Sequence, residues 1–470
     1  MQILAFLYNY SAIVSIDNNR IFMYTIRKYG FFYLSGEYLF MEVRSAKIHI
    51  IEPQRTTVVA GDFDVIISGG GPAGVCAAIA ASRLGVSVLL LEVCGCLGGV
   101  ATSGMMSNII DAQNKGGLLK EIIDELDELK MVSEHYNCVD PEALKFVMEK
   151  KALETGVCIR LYTRVVDCIV SADRKMQAVI TESASGREAW TGKVFIDATG
   201  NGDLGALANC RYESGNSEQQ LQAASLCALI YGIEKNQIPD LIQQERAAGK
   251  KNLYTMLENA GITPSYAMPT IFPISSNGYL LMSNHQYHVL PDDAQSMTDS
   301  TLEARTELWQ QISTLRKLEP RFTDLHLGTT AAIIGLREGR RINALYNLSI
   351  DDLIEGRIQP DPVCKSSFSV DIHGAFDGNK GYTSSGFKVK PYDIPLRSLI
   401  AKDVSGLLLA GRCIGGDFYA HASYRVIGNA APIGEAAGIC AALAAEQNIT
   451  PDKVTYKEFL NAGGNPHPEK

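Results

Sequence analysis

The 470-residue sequence contains no CxxC pair and no Lys/Arg-rich run. Its first 40 residues hold no uninterrupted apolar stretch approaching the ~20 residues that span a bilayer. Each absence excludes something. The eleven cysteines are odd in number, and Cys94-Gly-Cys96 is too tight for the usual zinc or iron–sulfur spacings. Cys76, Cys168, Cys227 and Cys440 sit in apolar stretches, where a small buried thiol is the simplest reading. Reduced thiols of this kind lead us to expect a cytoplasmic protein. His285 and His288 lie three apart without an acid or third ligand arranged around them, so no metal site is expected. A net charge of −9 argues against a general nucleic-acid binder. Any attraction for an anion must come from local arginines, because the global field has the wrong sign.

What is present describes a globular protein of two or three domains, 46% hydrophobic. Residues 1–40 stand apart, with eleven Phe and Tyr residues and no basic residue before Arg20. A secretory signal would place positive charge first. The expectation is a non-native or disordered extension with Met41 as the start, which N-terminal sequencing of the native protein checks. We expect residues 41–214 to form the first part of a nucleotide-binding domain and 215–392 a substrate or cap domain. Residues 393–470 should return to the first domain, where βα character resumes after Pro395. No membrane association is expected, and composition leaves open whether the chain forms a homo-oligomer.

Residues 62–92 read as a βαβ unit, and the fold expected is α/β with a Rossmann-like parallel sheet. Asp64-Val-Ile-Ile-Ser68 is a continuous apolar run, Val75–Leu84 is an Ala-rich helix, and Ser87–Glu92 is a second strand. Between strand and helix lies Gly69-Gly-Gly71-Pro72-Ala73-Gly74. Gly69 allows the tight turn, Gly71 lets backbone approach a pyrophosphate, and Gly74 lets helix and strand touch. Glu92 ends the second strand, about 20 residues on, where a carboxylate accepts from ribose hydroxyls. A glycine-rich turn in some other α/β sheet is the bland alternative.

Three further constellations carry chemistry. Gly200-Asn-Gly-Asp203-Leu-Gly205 follows the strand Val194–Ala198, but no second apolar strand ending in an acid comes after it. It therefore reads as a contact with the same cofactor rather than a separate NAD(P)H domain. Gly411-Arg412 opens a turn that runs into His421, Arg425 and a small-residue helix from Pro432 to Gln447. That helix N-terminus would stabilise negative charge on a reduced flavin ring. Gly335–Arg341 carries Arg337, Arg340 and Arg341, which could clamp a carboxylate or form structural ion pairs. His373 has Asp371 on the same strand face, an arrangement suited to an oriented acid/base.

Together these motifs resemble the broad family of FAD-dependent oxidoreductases, which includes flavin subunits similar to those of heterodisulfide reductases. The likeness runs from about Ile50 to Leu443. It includes Leu97-Gly98-Gly99-Val-Ala-Thr-Ser-Gly104, Asp140-Pro-Glu-Ala-Leu-Lys145 and Ile394-Pro-Leu-Arg-Ser-Leu399. The resemblance implies that Gly69, Gly71, Gly74, Glu92, Gly98 and Gly99 hold the adenosine and pyrophosphate side of FAD. It places Gly200, Asp203, Gly411 and Arg412 along the cofactor, and Arg337, His373, His421 and Arg425 where the second domain meets the flavin. Asn201 stands where such flavoproteins carry Asp, which keeps hydrogen bonding and loses a charge. A 4Fe-4S cluster is implied only by association with iron–sulfur relatives, and the cysteine spacing here does not support one.

The expected activity is FAD-dependent transfer of a hydride or electron pair between a small anionic substrate, such as a carboxylate, and an unknown acceptor. Arg337, Arg340 or Arg425 would orient the substrate, and His373 or His421 would move a proton. The rivals are an electron-transfer subunit with an iron–sulfur partner, a flavin-bound lyase, isomerase or RNA-modifying protein, and a binding module without cofactor.

Overall fold

The computed structural model describes residues 54–133, 137–242, 246–274, 277–374 and 381–465, and strand backbone between Leu4 and Met41. The chain divides into two compact units, residues 1–56 and 57–470. In the first, Tyr10–Ile13, Leu4–Leu7, Gly30–Leu34 and Glu37–Met41 form an antiparallel sheet in that order. The reading of 1–40 as an extension falls in this unit, much of which lies outside the described residues.

The second unit begins with the expected βαβ. Strand β1 (Val58–Ser68) ends in the fully buried Val65-Ile66-Ile67, an apolar run whose side chains are covered on both faces of the sheet. Helix α1 (Pro72–Arg83) starts with Pro72 in its first turn, where the missing N–H costs nothing. Strand β2 (Val88–Leu91), helices α2 (Gly117–Glu128) and α3 (Pro141–Glu154), and strand β3 (Cys158–Arg160) follow. Asp140 caps α3 by accepting from the amides of Glu142 and Ala143, and Pro141 opens it. Strands β4 (Arg164–Val170), β5 (Met176–Ser183) and β6 (Gly186–Asp197) form an antiparallel meander that feeds back beside β1.

The second layer is a four-stranded antiparallel sheet with its own core. It contains β7 (Ala228–Tyr231), β8 (Thr270–Pro273), β9 (Gly278–Met282) and, after helix α4 (Ala294–Leu318), β10 (His326–Thr330). That core is built mainly from residues between Ala224 and Ile334. Ile342, Ala344 and Leu348 already belong to the first core, so the return comes about 50 residues before the expected 393. The βα rhythm misses this because the returning segment is mostly irregular and is held by burial rather than by long elements.

Strand β11 (Leu407–Leu409), helix α5 (Phe418–Tyr424) and helix α6 (Ile427–Glu446) complete the first domain. Helix α6 begins five residues before Pro432, which therefore lies inside the helix. It is long and apolar enough to cross a membrane, yet it is mostly buried as a core helix. Gly434 and Gly438 let it cross α1 closely: a Cβ there would stand 2.0 Å from the Ala73 carbonyl oxygen and 2.2 Å from that of Ala77.

One register fact positions everything else. Ser68 pairs with Leu91 on one side and Asp197 on the other, and Asp197 pairs with Leu409. Four parallel strands therefore end level, and the loops after them meet along one sheet edge.

Candidate functional site

The loop after β1 is built for close approach. Gly69 has φ +101°, and a Cβ there would sit 2.5 Å from the Ala198 carbonyl oxygen. At Gly74 a Cβ would lie 1.8 Å from the Gly69 carbonyl oxygen, so helix and turn touch backbone to backbone. Gly71 is different: a Cβ would meet nothing within 4 Å. The turn thus presents open space above Gly71 and the N-terminus of α1, the shape and polarity that a pyrophosphate needs. Glu92 is buried, and its carboxylate accepts from the Gly70 amide at 2.6 Å and the Cys94 amide at 2.7 Å. Gly98 donates to the Gly70 carbonyl at 2.8 Å, and a Cβ on Gly99 would stand 2.9 Å from Gly71 Cα. The Leu97–Gly104 loop therefore closes one wall of the cradle, with Pro72 and Ala73 at its floor.

The other two loops join the same edge. Asp197 is fully buried and shapes the Gly200 loop, accepting from the Thr199 amide and hydroxyl and from the Gly205 amide at 2.7–3.0 Å. Local sequence singled out Gly200 and Asp203 but not Asp197, because an acid at a strand end carries no signal until its partners are seen. Arg412 donates to Asn201 Oδ1 at 2.6 Å and lies against Gly200, while its Nε is buried without a partner. At Gly411, with φ +78°, an added Cβ would stand 3.2 Å from Ala73 Cβ. The open Gly71 cradle and the unpartnered Arg412 Nε fit one long anionic dinucleotide lying across all four strand ends.

Arg337, Arg340 and Arg341 do not form a single clamp. Arg340 pairs with Asp203 and Asp292, each at 3.0 Å, beside the Gly200 loop. That places it with the cofactor loop as a structural ion pair, away from the substrate-orienting role expected of it. Arg341 is buried with Glu338 at 2.8 Å and donates to the carbonyls of Gly416 and Gly215. Arg337 alone turns toward the second sheet, donating to the Ala223 carbonyl at 2.7 Å and Ser225 Oγ at 2.9 Å. The segment is irregular rather than helical, with a bend at Arg337, and its three arginines point to different partners.

Around Arg337 the two cores meet in a polar cluster. His373 Nε2 lies 2.9 Å from Asp371 Oδ2, and its Nδ1 lies 3.1 Å from His285 Nε2. Tyr266 packs against His285 at a tilt of 31°, with ring centroids 4.0 Å apart. Arg425 donates to the Asp371 carbonyl at 2.6 Å and to Gln222 Oε1 at 3.0 Å. His421 is fully buried, and among the described residues neither of its ring nitrogens, nor the Nε of Arg425, nor the Nε2 of Gln222 has a hydrogen-bond partner. Sequence reading found His373, His421, Arg337 and Arg425. It weighed His285 only as a metal ligand and passed over Gln222 and Tyr266, which reach the cluster from the cap sheet by long-range pairing. Among the described residues no group of three or more His, Cys, Asp or Glu side chains could hold a metal.

Electrostatics keep the imidazoles neutral. Burial, then Arg337, pushes the His373 imidazole down to about 4, with Asp371 opposing. Burial also lowers His285, aided by Arg337 and His373, and it drives His421 well down beside Arg341, Arg425 and Arg412. Burial favours the acid form of Asp371, but His373, Arg425 and Arg337 outweigh it and hold the carboxyl down to about 2. The sign follows by linkage. The unfolded chain takes up protons on these histidines near their ordinary 6.5 while the folded chain resists, so stability is full above 6.5 and falls as pH drops toward 4. Thermal unfolding followed across pH 8 to 4 should show Tm falling below about 6.5. A flat profile there would mean that these histidines are charged in the folded protein.

A match to the FAD-dependent oxidoreductase family covers residues 64–462. The tRNA uridine 5-carboxymethylaminomethyl modification enzyme of Bacillus thuringiensis is 27% identical over 181 residues, 34% of this chain and 28% of that protein. The chain thus spans under a third of the length of this curated relative. Among solved structures, a geranylgeranyl bacteriochlorophyll reductase-like protein from Thermoplasma acidophilum is 13% identical, with a TM-score of 0.44 over 86% of this chain and 82% of that one. The p-nitrophenol 4-monooxygenase of Pseudomonas putida is 11% identical, with a TM-score of 0.42 over 86% and 83%. With the match running from Asp64 to Ala462 and the glycine loops meeting at one strand edge, the chain belongs to the FAD-dependent oxidoreductase family.

Proposed function

We propose that this FAD-dependent oxidoreductase acts on a small carboxylate, or a similar anion, bound at the junction of the two cores. The observation that carries the reading is Arg337, a half-buried guanidinium that forms no ion pair with any described carboxylate, Asp371 acting on it only from beyond contact distance. Its Nη1 is held by a carbonyl and a hydroxyl, and its Nη2 meets only the Met282 sulfur, at 3.8 Å. A cation removed from water needs an anion, and a carboxylate is the partner its planar fork suits best. Arg425, lowered by burial to about 10, adds a second positive charge that Asp371 only partly offsets.

FAD, when bound, supplies the redox chemistry by accepting or giving a hydride or electron pair. The chain's own residues do the rest. Gly69–Gly74, Glu92, Gly98, Gly99, Gly200, Gly411 and Arg412 would hold the cofactor, while Arg337 and Arg425 orient the substrate. The neutral histidines beside Asp371 manage the proton.

Anaerobic mixing with a panel of carboxylates, neutral alcohols and sugars tests this reading. A carboxylate should bleach the visible flavin band while uncharged analogues leave it intact. Bleaching by the neutral compounds alone would sink the reading, as would a flavin that no member of a broad carboxylate set reduces.

A further inference from the structure

The buried cluster has a direction. Asp371 is an acceptor, so the 2.9 Å contact requires His373 to present Nε2–H to it. A neutral His373 then carries its lone pair on Nδ1, and the 3.1 Å contact there requires His285 to donate from Nε2. The remaining lone pair is on His285 Nδ1. It lies 3.4 Å from the hydroxyl of Tyr287, which donates to the Ser265 carbonyl at 3.0 Å. Both nitrogens of His373 are therefore occupied, and the open base of the chain lies one residue further on. His285 is itself buried, while Tyr287 is partly accessible.

We propose that His285 Nδ1, reached through the Tyr287 hydroxyl, is the proton acceptor of the reaction, and that the substrate is a 2-hydroxy or 2-amino carboxylate. The inference rests on the anionic-substrate reading and deepens it. The substrate carbon loses its hydrogen as a hydride, two electrons passing to the flavin, while the neighbouring O–H or N–H bond gives up a proton and a C=O or C=N bond forms. That proton goes to the Tyr287 oxygen as the Tyr287 hydrogen, turned from the Ser265 carbonyl toward His285, moves to Nδ1. The Nε2 proton of His285 then crosses to His373 Nδ1, leaving an imidazolium against the Asp371 carboxylate. The substrate is oxidised, the flavin reduced, and one proton ends on His373. In the reductive direction each transfer reverses. Asp371 thus stabilises positive charge that begins two side chains away, a role a lone buried histidine could not fill.

The groups facing the relay fit this role. Burial, and then Arg337, keep His285 and His373 neutral at rest, and Tyr266 packs against His285 at a tilt of 31°. Glu307 accepts from the Ser265 amide and hydroxyl at 2.6–2.8 Å and so fixes the carbonyl that holds Tyr287.

The test uses the purified flavin-loaded full-length chain and His285→Gln. The glutamine amide can still donate to His373 Nδ1 but offers no ring lone pair. Nitrogen-15 NMR of histidine-labelled wild type near pH 7 should show His285 and His373 as Nε2–H tautomers, and His373 should keep that signature in His285→Gln. With lactate, malate, alanine and glutamate as probes, His285→Gln should slow flavin bleaching by about 100-fold with little change in KM. A wild-type bleaching rate in the variant, or a proton on His285 Nδ1, overturns the assignment. Bleaching by succinate or propionate but not by the hydroxy and amino acids overturns the substrate class while leaving the anionic reading intact. If no carboxylate bleaches the flavin, that broader reading fails, and the tautomers still decide the relay.

Discussion

Gly74→Ala is expected to yield a protein that no longer retains FAD. The added Cβ would sit 1.8 Å from the Gly69 carbonyl oxygen and 3.0 Å from its carbon. Those are backbone atoms at the tightest point of the turn, so no side-chain rotation relieves the clash. Either α1 moves away from the sheet or the turn opens, and both change the amide positions that face the cofactor. Helix α1 cannot move freely, because α6 crosses it at Ala73 and Ala77. FAD affinity should fall by more than about 100-fold, roughly 3 kcal/mol, and Tm should fall with it.

Gly71→Ala provides the contrast. Its backbone has φ −70° and its Cβ meets nothing within 4 Å, so the apoprotein should keep its Tm within about 1 °C. The methyl group instead enters the open space of the cradle, and FAD binding should still weaken. Flavin fluorescence titration and thermal unfolding of the two variants separate these effects. A Gly71→Ala protein that binds FAD normally would show that the pyrophosphate does not approach there.

Arg337→Ala should raise KM for the substrate by about 100- to 1,000-fold and leave flavin content unchanged. The argument is geometric. Arg337 sits on the cap side, anchored to Ala223 and Ser225 of the strand register that also brings Asn284 and Gln286 beside Leu226 and Ala224. None of its hydrogen bonds goes to a cofactor loop. Alanine leaves one buried carbonyl short of a donor, which is a moderate stability cost, but it removes a guanidinium whose Nη2 meets no oxygen among the described residues. Arg337→Lys should recover part of the affinity, since charge returns without the bidentate shape. Loss of flavin from Arg337→Ala, with substrate affinity intact, would assign this arginine a structural role.

Much of the first domain could be read from local sequence, because its signals are local. Val65-Ile66-Ile67, the glycine turn and Glu92 lie within one βαβ unit, where spacing along the chain fixes spacing in space. The helix breaks at Pro141 and the strands at Thr270–Pro273 and Tyr279–Met282 could be read for the same reason. The start of α6 was misplaced because Pro432 looks like a helix opener, whereas the packing of Gly434 and Gly438 on α1 sustains the helix through it. The early return at Ile342 left no periodic trace at all.

The catalytic side shows the other limit. Arg337, Arg340 and Arg341 are equivalent by spacing, and only tertiary contacts send one to Asp203, one to Glu338 and one to the junction. His285 and His373 are 88 residues apart, and Asp371 became meaningful only when the cap sheet delivered His285 to the far nitrogen of His373. The amino-acid sequence by itself determined the βαβ unit with its glycine turn and a Rossmann-like α/β fold. Turn chemistry and hydrophobic runs act over a few residues, and one chain segment contains them whole. The tertiary structure alone decided that four strands end level, that Asp197 organises the second loop, and that His285 Nε2 meets the far nitrogen of His373. Those facts depend on register and burial between distant segments, and no local pattern encodes them.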